Sequence, residues 1–307
     1  MISSRESFDA FVSAAWSYFS LPRVDELSGP HNLNDLYEYA SGYNPQNIFP
    51  KDRLSGAELY GAMATFVQAT IPKRIVLQLG EDWPDLTAEA QALVTYYNAK
   101  AAQQGPGLNP RAEALITRYL HVYPASPANA SWRIGLNVTP ADMGAAMAAL
   151  VPLLDEYDSI DHMKFLAPGN ASKADSVIIY ADRQALGFDA LKQAVVEAVR
   201  PLRLQPRVGA IWEEIHPGVG EAAEPPHEAV GLSFTTYRCI VLYLAYWSYA
   251  QSGPVRRFDQ FRHYLGEVME IFGLDPAVPF AQGPLLSGRA DFPLWWSAFE
   301  GLQRVWQ

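Results

Sequence analysis

The order of strand-like and helix-like segments in the second half of the chain is the feature that most limits its fold. Four runs rich in β-branched, aromatic and other apolar residues are typical of strands: residues 114–124, 131–138, 159–167 and 176–182. Between the second and third runs, residues 139–157 open with a helix start: Thr139 as N-cap, Pro140 at the first helical position and Asp142 in the first turn. An amphipathic segment at 188–202 follows the last run. This order predicts an α+β fold, with helices packed on a small mixed sheet.

The first hundred residues have a helical rather than a strand-like pattern of apolar residues. Apolar residues recur at three- and four-residue spacing, which predicts helices over three segments: 4–19, 55–71 and 84–104. The stretch "QQGPGLNP" at 103–110 is the clearest break in the chain. We therefore expect a helical N-terminal region over 1–108 and an α+β domain over 109–307.

The C-terminal third is predicted to be helical after a loop. Residues 216–231, rich in Gly, Pro and Glu, are typical of a loop. The apolar segment that follows is predicted to be a buried helix with Ser233 or Thr235 as its cap. A further helix is expected over 254–271, followed by a Pro-rich tail that contains several tryptophans.

Charge and cysteine content exclude several classes of protein. The 307 residues carry a formal net charge of −10, which argues against a general binder of nucleic acid or of anionic membranes. Cys239 is the single cysteine, so no intrachain disulfide can form and a reducing compartment fits best. The longest apolar stretch, 239–247, is too short to span a bilayer, and the N-terminal segment is too acidic for a signal peptide. We expect a cytoplasmic protein.

Several common chemistries have no motif in this chain. It contains no glycine loop of the P-loop or dinucleotide-binding type, and its six histidines show no metal-ligand spacing. Four carboxylates cluster late in the sequence and are interpreted as a solvated loop: Glu213, Glu214, Glu221 and Glu224. The sequence thus predicts neither a cofactor nor a metal.

Cations placed inside apolar patterns are the unusual feature. They are Arg133, Lys164, Lys173 and Arg238. For Lys164, one interpretation is a solvent-facing residue of an edge strand. Arg238 needs an anion because its neighbours are apolar and an unpaired buried guanidinium is costly. That anion is either a structural Asp or Glu, or an anionic substrate such as a phosphate held by several cations.

The segments that carry these cations resemble a known family. "SWRIGLNVTPADMGAAMAALVPLL", "DHMKFL", "KADSVIIYAD" and "EAAEPPHEAVGLSFTTYRC" are similar to the HopA-type effector and lyase family. That family is distantly similar to the phosphothreonine lyases of bacterial type III secretion and to the lyase domains of class III and IV lanthipeptide synthetases. The resemblance covers roughly residues 130–245 and implies a phosphothreonine-lyase-like fold.

The resemblance implies roles for particular residues. Lys164 corresponds to the lysine that removes the α-proton of phosphothreonine or phosphoserine, and Tyr180 corresponds to the tyrosine at the end of the next strand. The phosphate-binding positions are Arg133, Lys173 and Arg238. Nearby cations favour the neutral, basic form of a lysine, which agrees with the role of Lys164.

One position departs from the family pattern. The secreted lyases carry a histidine general acid on the first strand of this region, where this chain has Gly135. The proton for the leaving group then comes from another residue, unless a well-neutralised phosphate needs none. The candidates are Tyr180, His162, His121 and His227.

The resemblance implies a lyase that eliminates phosphate from a phosphorylated peptide and leaves a dehydroamino acid. No kinase motif is present, so a separate Ser/Thr kinase, in complex or alone, would phosphorylate the precursor peptide, as in RiPP biosynthesis of the lanthipeptide or thioamitide kind. The alternative is an effector that binds a host phosphoprotein or protein partner without turnover. A third reading is a structural subunit that stabilises a kinase.

Overall fold

A computed structural model describes residues 8–13, 16, 36, 76–78, 119–124, 127–139, 142–166, 174–206, 208–209, 211–229, 232–251 and 257–306. The predicted helices at 55–71 and 84–104, the predicted boundary at residue 108 and Lys173 lie outside these residues. The chain forms two compact units. The helical unit comprises Met1–Asn44, Gly209–Glu214 and Glu221–Gln307, and the sheet unit comprises Pro45–Val208 and Ile215–Gly220.

In the part of the chain that the structure describes, seven strands form one sheet. They are β1 (Val76–Gln78), β2 (Tyr119–Tyr123), β3 (Trp132–Leu136), β4 (Ile160–Leu166), β5 (Val177–Ala181), β6 (Glu213–His216) and β7 (Val219–Ala223). Their order in the sheet is β1-β2-β4-β5-β3-β7-β6, and the first five are paired antiparallel. The four predicted strand runs became β2, β3, β4 and β5. The predicted α+β class is confirmed.

Among its described residues, the sheet unit contains the helices α1 (Met143–Leu150), α2 (Leu153–Glu156) and α3 (Phe188–Val199). The Thr139 hydroxyl accepts a hydrogen bond from the Asp142 amide at 3.3 Å, so the predicted start signal acts just before α1. One helix was predicted over 139–157, but the structure has two. Pro152 separates them, because it has no amide hydrogen to continue the helical hydrogen bonds.

The central strands have one face covered by helix. The Trp132 ring meets the ring of Phe188, the first residue of α3, edge to face with centroids 6.5 Å apart. Side chains on this face are fully buried: Ile134, Met163, Phe165 and Ile179. Because successive side chains of a strand alternate between faces, Arg133 lies on the opposite face from Trp132.

The segment predicted as a loop at 216–231 contains a strand, so that prediction is wrong. β6 and β7 are joined by Pro217 and Gly218, and Gly218 has the left-handed φ of +76°. Glu221, interpreted as a solvated carboxylate, is buried on β7, and one oxygen of Glu213 on β6 is also shut off from solvent. The hairpin was not predicted because Gly and Glu have low strand propensity.

The helical unit contains α4 (Phe234–Gln251), α5 (Phe258–Ile271) and α6 (Phe292–Trp306), and α4 contacts both others. Ser233 caps α4, since its hydroxyl accepts the Thr236 amide hydrogen at 3.1 Å. Residues 8–13 and 16 are helical, within the helix predicted at 4–19. The Trp16 ring stacks on Phe261 of α5 with centroids 5.0 Å apart.

α6 occupies the end of the Pro-rich tail, where no helix was predicted. Pro293 falls in the first turn of α6, where a missing amide hydrogen breaks no helical hydrogen bond. Among the described helices, none is long and apolar enough to cross a membrane.

Candidate functional site

Tyr180 is the centre of a polar cluster on the face of the sheet opposite Trp132. Arg133 on β3 and His162 on β4 are its register partners on either side. The His162 ring lies parallel to the Tyr180 ring, with centroids 4.2 Å and planes 10° apart. The guanidinium carbon of Arg133 lies 5.0 Å from the Tyr180 centroid. The three side chains thus form a row across β4, β5 and β3.

Lys164 belongs to the same cluster. It follows His162 by two residues on β4, so both side chains lie on one face. Its Nζ is 5.4 Å from the Tyr180 centroid, within the range of a cation–π contact. β4 lies between β2 and β5, and Lys164 is half-buried, so the interpretation as a solvent-facing edge residue is wrong.

His162 has a carboxylate partner that sequence reasoning missed. Its Nδ1 lies 2.6 Å from Oδ2 of Asp161, and both side chains are about nine-tenths buried. Neighbours on a regular strand point to opposite faces, but the pairing of β4 with β5 shifts register between Ile160 and His162. This bulge accounts for the contact. The dipeptide Asp-His is visible in the sequence, whereas the bulge appears only once the strands are paired.

Three further positions that the sequence analysis singled out are Gly135, His121 and Lys173. Gly135, where the secreted lyases carry histidine, pairs with Ile178 and lies two residues from Arg133 on the same face. The backbone of His121 on β2 pairs with Lys164, and its side chain is outside the described set. Lys173 is also outside the described residues. Their predicted roles stay predictions.

Arg238 lies in the helical unit, on α4. Its Nε donates to the carbonyl oxygen of Pro279 at 2.9 Å, and its Nη2 donates to the carbonyls of Ala281 at 3.1 Å and Phe280 at 3.3 Å. The guanidinium carbon also lies 3.9 Å from the Phe234 centroid. Main-chain oxygens therefore hold this buried cation, and phosphate binding by Arg238 stays a prediction.

His227 is the other site candidate in the helical unit, and its role as an acid stays a prediction. His227, a candidate acid, is exposed and its Nδ1 lies 3.1 Å from Oε2 of Glu228. Burial raises the pKa of Tyr237 and of Cys239 well above their usual ranges, although Arg238 partly opposes the rise. A buried neutral thiol is a poor nucleophile.

Metal binding finds no support among the described residues. In that part of the chain no three His, Cys, Asp or Glu side chains are grouped so that they could hold an ion. The clustered groups instead offer two cations, one imidazole with a carboxylate behind it and one phenol. Such a set can bind an anion and move protons.

Comparisons with known proteins agree with this fold. The sequence profile of the HopA1 effector protein family matches residues 108–280, more than half of the chain. The solved effector protein from Pseudomonas syringae pv. syringae strain 61 is similar at TM-score 0.61 and 15% identity, covering 92% of this chain and 100% of that one. The effector protein from Pseudomonas syringae pv. tomato strain DC3000 is similar at TM-score 0.62 and 14% identity, covering 92% of this chain and 99% of that one. No curated protein matches the chain.

Proposed function

The chain belongs to the HopA1 effector protein family, and we propose that it is a carbon–oxygen lyase acting on phosphoserine or phosphothreonine in a peptide. The reaction is a β-elimination that releases inorganic phosphate and leaves a dehydroamino acid. One observation carries the proposal. Lys164, Arg133 and His162 surround the Tyr180 ring on one face of the sheet.

Each group has a task in this reaction. Neutral Lys164 takes the proton from Cα, and the electrons of that C–H bond form the Cα–Cβ double bond. The bond from Cβ to the phosphate oxygen breaks as negative charge builds on the departing group. Arg133 supplies forked N–H donors for that charge, and its contact with the Tyr180 ring holds it in place.

The substrate is a phosphorylated precursor peptide supplied by a separate kinase. The sequence carries no Gly-rich phosphate loop or other kinase signature, so a separate kinase phosphorylates the peptide before the lyase step. This pairing fits cytoplasmic biosynthesis of a RiPP of the lanthipeptide or thioamitide kind. Nucleic acid and membrane have no part in it, in keeping with the net charge of −10.

A second function is favoured by a different residue. Gly135 stands where the secreted lyases carry their histidine acid, and the family description is that of effectors. An effector-like protein that binds a phosphoprotein without turnover would keep the cations and lose the acid.

The test is incubation of the purified protein with phosphoserine and phosphothreonine peptides, with and without a kinase encoded nearby. Peptide mass and free phosphate are the readouts. Lys164→Ala should abolish phosphate loss. Lys192→Ala, a lysine on α3 paired with Asp189, is the matched control and should retain it.

The outcomes separate the two functions. Loss of phosphoric acid that disappears with Lys164→Ala supports the lyase and its base. Hydrolysis to the plain hydroxyl residue makes the protein a phosphatase and overturns the elimination. Phosphopeptide binding without turnover supports the effector-like alternative, and absence of both binding and turnover overturns both functions.

A further inference from the structure

The bulge in β4 places two consecutive polar side chains in contact. Ile160 pairs with Ala181 and His162 pairs with Tyr180, so two residues of β4 span one step of β5. Asp161 is the additional residue. A bulge redirects side chains away from strict alternation, which brings this carboxylate to the ring of its neighbour. The contact is therefore set by the backbone and is not a chance meeting of flexible side chains.

Two constraints then fix the imidazole. The 2.6 Å separation of Asp161 Oδ2 and His162 Nδ1 is typical of a charge-assisted hydrogen bond, with Nδ1–H donating to the carboxylate. The parallel stack on Tyr180 fixes the plane of the ring. A carboxylate on one nitrogen leaves the other nitrogen, Nε2, as the atom that exchanges protons with a substrate.

We infer that His162 is the proton donor of the elimination and that Asp161 is its positioning residue. The inference rests on the proposed lyase function and deepens it. As the bond from Cβ to oxygen breaks, the Nε2–H of the His162 imidazolium gives its proton to the departing phosphate oxygen. The Asp161 carboxylate accepts the Nδ1–H hydrogen bond and stabilises the imidazolium before transfer. The cycle closes when Lys164 releases the Cα proton and His162 takes up another from water.

A double-mutant cycle tests whether Asp161 acts through His162. His162→Gln should lower kcat for phosphate release by about 10²- to 10⁴-fold with little change in KM, the range for loss of a general acid. Asp161→Asn should lower kcat by up to the same factor, and the double variant should be no worse than His162→Gln alone. Asp161→Glu, which keeps the carboxylate, should recover part of the loss. Asp158→Asn, an exposed aspartate just before β4, is the matched control and should match the wild type.

Two kinetic results would overturn the inference. Losses that multiply in the double variant mean that Asp161 acts independently of His162. Unchanged kcat in His162→Gln or in Asp161→Asn removes the donor role or the positioning role.

An NMR measurement separates this inference from the lyase proposal and needs no variant that folds poorly. With ¹⁵N-labelled histidine, the neutral His162 ring of the wild type should carry its proton on Nδ1, and Asp161→Asn should weaken that preference. A proton on Nε2 with bare Nδ1 would refute the positioning role even in an active lyase. If the wild type releases no phosphate, the donor role fails with the proposed function, while the tautomer still decides whether Asp161 holds the ring.

Discussion

Replacement of Arg238 by methionine should destabilise the protein strongly. The side chain is 5% exposed, and its guanidinium bonds three carbonyl oxygens of residues 279–281 at 2.9–3.3 Å. Each bond contributes about 1 kcal/mol, and a cation–π contact out of water contributes about 1–2 kcal/mol. Methionine refills part of the volume but offers no donor. We expect a loss of about 4 kcal/mol, a large share of the ~5–15 kcal/mol typical of a folded protein.

Equilibrium unfolding in urea, followed by tryptophan fluorescence, measures this loss. Arg200→Met is the matched control, because that arginine is 65% exposed and pairs only with Glu197 at the surface in the contacts described, so its change should stay within about 0.5 kcal/mol. A cost below about 1 kcal/mol for Arg238→Met would refute the structural role. Added inorganic phosphate that stabilises the wild type but not Arg238→Lys would instead support the predicted phosphate role.

Three further predictions concern buried groups. Cys239 is fully buried with a raised pKa, so a thiol reagent should modify it only in urea, as followed by mass spectrometry. Because Cys239 and Tyr237 keep their protons longer in the folded protein, the free energy of unfolding should fall by about 1.4 kcal/mol per pH unit for each group, starting near pH 9 for Cys239 and near pH 10 for Tyr237. Flat stability in alkaline urea titrations would contradict this. Gly218→Ala should cost at least about 2 kcal/mol in thermal or urea unfolding, since its Cβ would lie 2.4 Å from the Gln205 carbonyl oxygen at a left-handed φ.

Elements with strong local signals were predictable from the sequence. The β-branched run of β5 and the amphipathic repeat of α3 each specify their structure within a few residues. The β6–β7 hairpin and α6 escaped prediction because glycine, glutamate and proline there oppose the structure that tertiary contacts impose. In β7, for example, the Ala223 amide donates to the Phe280 carbonyl at 2.8 Å, a partner more than fifty residues away.

The candidate site, like the fold, was predictable only in part. Arg133, Lys164 and Tyr180 were predicted as single residues, because cations in apolar runs and a family resemblance mark them individually. Their meeting around one ring depends on strand register, which spacing in the sequence does not give. Asp161 was missed because its role requires the bulge. The carbonyl partners of Arg238 lie about forty residues further along the chain, so no local sequence pattern predicts them.

Gly135 alone does not decide between a lyase and a binding protein, because the sheet offers a nearer place for an acid. Gly135, Ile178 and Lys164 form one row across β3, β5 and β4, so Gly135 lies two strand spacings, about 10 Å, from Lys164. His162 lies two residues along the same strand, about 7 Å from Lys164. A phosphorylated residue seated beside Lys164 therefore has a closer donor at position 162 than at position 135. Loss of a histidine from β3 is compatible with turnover as long as β4 supplies one, and His162→Gln is the variant in which a lyase would become the binding protein.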